Sequence, residues 1–307
     1  MGESVRDGSD SKHRQFMSLG MFIIDEFSYL DEDGQPTGRT LPEQIGGGGT
    51  LPPNEVGMIV DRGHDFPPYI QTALDQYGKQ MWIYRDDFSR GTTRALNEYR
   101  GDIRGFRYLT PRVRITPKDL IGTDFDLPKM LHFICSPSRA AIILSEVRER
   151  SGWRPITIYE PIPPQSQDRC VPEELSALLE VLPSLSILSP NADEALSLLS
   201  ILQPPSKSNV EEACQRFLDY GVGVNGEGAV IIRSGALGAY VATRAKGGQW
   251  IPAFWKEDQA HKVVDVTEQD GLPTFTLHED KSREIVELWN GETPQSRLKK
   301  LMDTNVV

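Results

Sequence analysis

Short apolar runs, each followed by a turn and a helix-like stretch, repeat along most of this chain, and that alternation narrows the architectures open to it more than any other feature. Residues 56–60 (VGMIV), 80–84 (QMWIY), 129–135 (KMLHFIC), 155–159 (PITIY), 184–188 and 229–233 (AVIIR) read as buried strands. Helical patterns fill 68–77, 139–151, 172–182 and the stretch from Asn191. A further helix over 209–220 is expected to start at Ser208, with Glu211 completing a capping box. This order predicts an α/β chain built on a doubly wound, mostly parallel sheet flanked by helices, with 239–243 and 250–255 as antiparallel edge strands.

Residues 1–15 read as a flexible polar tail, 16–307 as a single domain, the arginine-rich 86–116 as a lid-like insertion within it, and 295–302 as a short basic helix. The run 17–27 (MSLGMFIIDEF) reads as one strand delivering Asp25 and Glu26 at its C-terminal end, where open α/β sheets place ligands. The glycines at 46–49 do not belong inside a regular element, because glycine loses the most backbone entropy there. They form either a flexible loop or a wall that lets backbone approach a ligand closely.

With 307 residues, 38% of them hydrophobic, the chain can bury a sizeable core. Its 33 basic and 44 acidic residues give a net charge of −11, which opposes binding to nucleic acid. Arg90, Arg94, Arg100, Arg104 and Arg107 are diluted by Asp86, Asp87, Glu98 and Asp102, so that stretch reads as solvated surface. No apolar run reaches the ~18–20 residues a bilayer demands, and the polar N-terminus lacks a signal-like segment, so the cytoplasm is the expected compartment and no membrane partner is implied. Cys135, Cys170 and Cys214 are too scattered for a zinc or disulfide framework, as are the five histidines, and the thiols are expected to be reduced.

Two short motifs could carry chemistry. Asn191 and Glu194, in the sequence SPNADE, stand one helical turn apart directly after a strand. That spacing suits nucleotide phosphates with a hydrated Mg²⁺, which keeps most of its waters and needs few carboxylates; it equally suits a helix capping box that requires no ligand. Gly235 and Gly238 allow a sharp turn beside a nucleotide, although a lone GxxG has little specificity.

Asp25 with the glycine run, the NxxE element and the GxxG turn, in this order, resemble the pfkB/ribokinase-like carbohydrate kinases. The tracts SLGMFIIDEF, YEPIPP, ILSPNADEALSLL and ELWNGETPQSRL are similar to the fungal maintenance-of-killer branch of that family. The resemblance implies ATP-dependent phosphoryl transfer to a hydroxyl of a small-molecule sugar or nucleoside. It implies that Asp25, Gly47, Gly48 and Gly49 line the substrate site, that Arg233, Gly235, Gly238 and Thr267 lie against ATP, and that Asn191 and Glu194 organise Mg²⁺. Arg233 stands where the family commonly shows threonine, and the family's usual asparagine shortly after its glycines is not found.

The departures matter most after 264–267 (VDVT). There the family runs into a Gly-Ala-Gly-Asp turn whose N–H groups bind the transferring phosphoryl group and whose aspartate takes the acceptor's proton. Here Glu268, Gln269, Asp270 and Gly271 follow instead. Asp270 is the candidate base, one residue out of register where general-base reach is ~3 Å. Between Gly49 and Val56 the chain is too short for a crossover helix. Two family helices are therefore expected to be missing and catalysis impaired; the alternatives are a non-catalytic nucleotide- and sugar-binding pseudokinase and a truncated, non-functional product. Exposed edge strands permit a homodimer without specifying one.

Overall fold

Successive side chains of a strand point to opposite faces of its sheet, and the buried residues of this chain divide along that rule. The computed structural model describes residues 15–39, 44–45, 53–100, 103–161 and 172–253. The strands are β1 (Phe16–Ser18), β2 (Ile24–Leu30), β3 (Gln44–Ile45), β4 (Val56–Arg62), β5 (Trp82–Asp86), β6 (Arg94–Arg100), β7 (Ile103–Tyr108), β8 (Met130–Cys135), β9 (Ile156–Pro161), β10 (Ile187–Leu188), β11 (Ala229–Arg233), β12 (Ala239–Thr243) and β13 (Gly247–Ile251). The α-helices among the described residues are α1 (Pro68–Gln76), α2 (Pro137–Glu149), α3 (Leu175–Val181), α4 (Ala192–Leu198) and α5 (Lys207–Tyr220).

A nine-stranded sheet runs in the order β13-β12-β11-β10-β9-β8-β1-β4-β5. Its neighbours from β11 to β5 are parallel, while β12 and β13 extend it antiparallel. On β4 the adjacent Ile59 and Val60 fall into different core clusters. Ile59 shares its cluster with Met17, Leu131, Phe133 and Tyr159 of the sheet and with Ile143, Leu178, Leu196 and Phe217 of α2, α3, α4 and α5. Val60 packs instead with Phe22, Ile24 and the α1 residues Ile70 and Leu74. Helices thus cover both faces, the expected doubly wound arrangement.

The run 17–27 is not one strand. β1 pairs with β4 and β8 in the large sheet, and the chain then crosses to β2, which pairs with β3 and β6 in a four-stranded sheet of order β3-β2-β6-β7. Asp25 consequently lies near the start of a second-sheet strand. Within 86–116 the same sheet takes two strands: Ala95, Asn97 and Tyr99 are buried while Arg94, Leu96, Glu98 and Arg100 are less so, a period-two split. Helix α5 is capped by Ser206, whose hydroxyl accepts from Asn209 N–H at 3.3 Å, two residues before the expected cap. Glu211, freed from a capping role, accepts from the Trp250 indole N–H at 2.6 Å and ties α5 to β13. No described helix is long and apolar enough to cross a membrane.

Register joins β4 and β5 by charge as well as by backbone. Asp61 stands opposite Arg85 and Arg62 opposite Asp86, and both pairs form bidentate salt bridges, one on each face. A third carboxylate, Asp65, joins the two sheets: it accepts from Thr92 N–H at 2.6 Å and from Arg94 Nε at 3.2 Å. Burial alone would raise the Asp65 pKa, but donation from Thr92 and Arg94 outweighs it and holds the group at about 2, against an ordinary 3.8. A carboxylate held low stabilises the fold fully above its unfolded value of about 4 and loses that contribution as pH falls through its folded one. Wild type should therefore resist urea better than Asp65→Asn at about pH 6, and the two should converge as the pH approaches about 2. A gap that stays constant down to that pH would show that the carboxylate charge is not what joins the sheets.

Candidate functional site

The parallel strands carry a line of polar residues on the face opposite α2–α5, from the end of β1 through the middle of β8 to near the end of β9. Pairing sets Ser18 beside His132, and His132 beside Ile158, two residues before Glu160. The side chains connect in the same direction. Ser18 Oγ lies 3.1 Å from His132 Nδ1, and His132 Nε2 lies 3.1 Å from Glu160 Oε1. A carboxylate at neutral pH only accepts, so Nε2 carries the hydrogen. Arg233 Nη2 donates to Glu160 Oε2 at 2.6 Å, reaching past the short β10, and to the Ser189 carbonyl at 3.3 Å. Burial pushes the Glu160 pKa up, but the His132 hydrogen bond and the Arg233 charge prevail and leave it below the ordinary glutamate value.

Arg233 closes onto the NxxE turn through its backbone as well. Its N–H donates to the Pro190 carbonyl at 3.1 Å, and Asn191 and Arg233 form a parallel bridge. Within the turn, Asn191 Oδ1 accepts from Glu194 N–H at 2.8 Å and Glu194 Oε2 accepts from Asn191 N–H at 2.9 Å. This reciprocal capping box starts α4 and fixes both side chains without a ligand. After β11 the chain turns through Gly235 and Gly238, closed by Gly238 N–H donating to Gly235 O at 3.0 Å and Ser234 N–H donating to Gly238 O at 2.7 Å.

The structure therefore brings together Asn191, Glu194, Arg233, Gly235 and Gly238. Asp25 stands on the second sheet, where Asn97 Nδ2 donates to its Oδ1 at 2.9 Å. Asn97 is 1% exposed, and the stacked rings of Tyr29 and Tyr99 lie farther along the same strands. Gly47, Gly48, Gly49, Thr267 and Asp270 lie outside the described residues, as do Cys170 and the junctions after Gly49 and Thr267. Sequence reasoning missed Ser18, His132, Glu160 and Asn97. The usable signal was a polar residue at an outward position, repeated on the otherwise apolar strands β1, β8 and β9.

No protein-family model matches the chain. The chain is 33% identical to Protein MAK32 of Saccharomyces cerevisiae over 274 residues, covering 81% of this chain and 73% of that protein. It is 28% identical to an uncharacterized protein of Schizosaccharomyces pombe over 350 aligned positions, covering 94% of this chain and 93% of that one. Among solved structures it resembles a ribokinase of Cryptococcus neoformans in complex with ADP, with a TM-score of 0.53 at 18% identity over 78% of this chain and 79% of the other. An adenosine kinase of Anopheles gambiae gives a TM-score of 0.53 at 15% identity over 79% and 87%, and a PfkB protein of Polaromonas 0.52 at 14% over 78% and 83%. At these identities the structural likeness establishes the fold.

Proposed function

Because the chain belongs to the pfkB/ribokinase-like carbohydrate kinase family, in the branch of the fungal Protein MAK32, we propose that it binds a nucleoside phosphate together with a sugar or nucleoside, and that its phosphoryl transfer is impaired. The observation that carries the nucleotide half is the convergence of Arg233, the Asn191–Glu194 turn and the Gly235–Gly238 turn at the C-terminal ends of β10 and β11, where open α/β sheets hold ligands. The ribokinase of Cryptococcus neoformans, alike in fold, was solved with ADP. In this reading the glycine turn lies along the nucleotide, with Thr267 beside it.

Asp25 supplies the other half. A carboxylate accepts hydrogen bonds from two vicinal hydroxyls at once, and Asn97 holds one of its oxygens at 2.9 Å. Gly47, Gly48 and Gly49 would complete that wall. The impairment rests on the chain itself: Glu268, Gln269 and Asp270 stand where the family carries its glycine-rich anion hole and base.

For Mg²⁺ the donor set is thin. Asn191 and Glu194 bond each other's backbone, and Glu160, which reaches this turn through Arg233, is held by His132 and Arg233. Among the described residues no three acidic, histidine or cysteine side chains converge to hold a metal ion. This suits a hydrated ion arriving with the nucleotide, oriented through its waters by Asn191 and Glu194. When bound, it supplies neutralising charge to the phosphates.

Thermal-shift measurements with ADP, ATP and a panel of sugars and nucleosides, run beside an assay for phosphorylated product, test the proposal. The expected result is ligand-dependent stabilisation without efficient turnover. Rapid product formation would refute the impairment and make Asp270 the first residue to examine as base; no shift with any ligand would refute binding and favour a non-functional product.

A further inference from the structure

Arg233 is built as more than the end of an ion pair. All of its side-chain hydrogen bonds among the described residues leave from Nη2, toward Glu160 Oε2 and the Ser189 carbonyl. A guanidinium has donors on three nitrogens, so Nε and Nη1 remain for another acceptor. The side chain is 47% exposed, whereas Glu160 beneath it is 20% exposed and His132 behind that 15%. Partly buried support under a more exposed guanidinium fixes an arginine in advance of binding, so that less side-chain freedom is lost when the ligand arrives. Gly20 N–H donates to Ser18 Oγ at 3.2 Å, so the support continues to the backbone after β1.

Charge gives the site its selectivity. A chain with a net charge of −11 repels a polyphosphate at long range, so binding one requires a cation placed at the contact. The donor set described above offers a protein-held metal little purchase, while the guanidinium lies at the C-terminal edge of the sheet with Nε and Nη1 on different edges, each able to donate to a separate oxygen of a di- or triphosphate.

We propose that Arg233, positioned by Glu160 and through it by His132 and Ser18, binds a di- or triphosphate group directly, so that such a group binds without a divalent cation. This rests on the proposed nucleotide site, and it assigns to the protein's own side chain a charge that kinases of other designs take from metal. Glu160 and His132 are positioning residues: they act through Arg233.

The test is calorimetric titration of the full chain with ADP, ATP and inorganic pyrophosphate, each in Mg²⁺ and in EDTA. Wild-type affinity for ADP should change by less than about threefold between the two conditions. Arg233→Ala should weaken it by about 10- to 100-fold, the range for losing hydrogen bonds to a charged group, and Arg233→Lys by less. Glu160→Gln should cost about fivefold in wild type and nothing in the Arg233→Ala background, a coupling that general loosening of the sheet would not produce. Unfolding midpoints of the unliganded variants separate folding defects from binding defects.

The inference is overturned, with the nucleotide reading left standing, if ADP binds only with Mg²⁺ or binds Arg233→Ala as well as wild type. Pyrophosphate binding that depends on Arg233, with neither ADP nor ATP bound, would support the anion site and sink the nucleotide reading. If none of the three binds under either condition, both fall.

Discussion

Phe133→Ala is expected to lower the free energy of unfolding by about 4 kcal/mol, because it deletes one of the largest fully buried side chains of the core. Phe133 is 1% exposed on the interior strand β8 and stacks on Tyr159 of β9 with ring centroids 5.3 Å apart and planes at 30°. The pair fills the space between the large sheet and the helices α2–α5. Tyr159 has little freedom to collapse into the void, since its hydroxyl donates to the Cys135 carbonyl at 3.0 Å. The cavity therefore persists, and a persistent cavity is what carries such substitutions to the upper part of their range. Urea unfolding at neutral pH measures the loss; a value below about 1.5 kcal/mol would mean that the sheet relaxes around the gap and is less rigid than its packing implies.

The same substitution reaches the candidate site. His132 precedes Phe133 and Glu160 follows Tyr159, each pointing to the opposite face of its strand from the packed ring. The core side of β8 and β9 thus sets the spacing that the polar side uses to hold Arg233.

How far the sequence disclosed this arrangement depended on which physical signal each part used. β11 and β12 coincide with their expected bounds, 229–233 and 239–243, because glycines and polar residues punctuate short apolar runs there. The run 17–27 was misread because continuous apolarity does not reveal that a chain changes sheets; only the pairing of β1 with β8 and of β2 with β6 does. The stretch 86–116 was judged by its charge, and the arginines of β6 masked a period of two in which Ala95, Asn97 and Tyr99 face inward. At α5 the Ser208–Glu211 spacing offers a capping box, yet the helix starts two residues earlier, with Ser206 accepting from Asn209 N–H.

The site divides in the same way. Asn191 and Glu194 were legible, cap and all, because their geometry is local to one turn. Ser18, His132, Glu160 and Arg233 were not legible as a group, since their connection depends on register between strands far apart in sequence, and periodicity says nothing about register. His132 in particular looked like any scattered histidine until pairing placed it between a serine and a glutamate.

The turn that follows Arg233 gives the second large effect, and it separates two glycines that sequence reading treated alike. Gly238 has φ +94° and ψ −140°, a conformation that side chains disfavour, and a β-carbon there would overlap the Ile251 carbonyl oxygen and crowd Ala253 N. Those are backbone atoms of and after β13, which cannot swing aside as a side chain could. Gly238→Ala should therefore cost about 3 kcal/mol, combining backbone strain with displacement of the edge strand. Gly235, with φ +54° and nothing within 4 Å of an added β-carbon, should lose only about 1 kcal/mol to left-handed strain on the same change. Chemical denaturation of both variants checks the contrast. Because Gly238 O accepts the Ser234 N–H that closes the turn directly behind Arg233, the Gly238 variant should also weaken ADP binding, and by more than the Gly235 variant does. Equal losses in the two would mean that the turn tolerates rearrangement and that its geometry does not position the guanidinium.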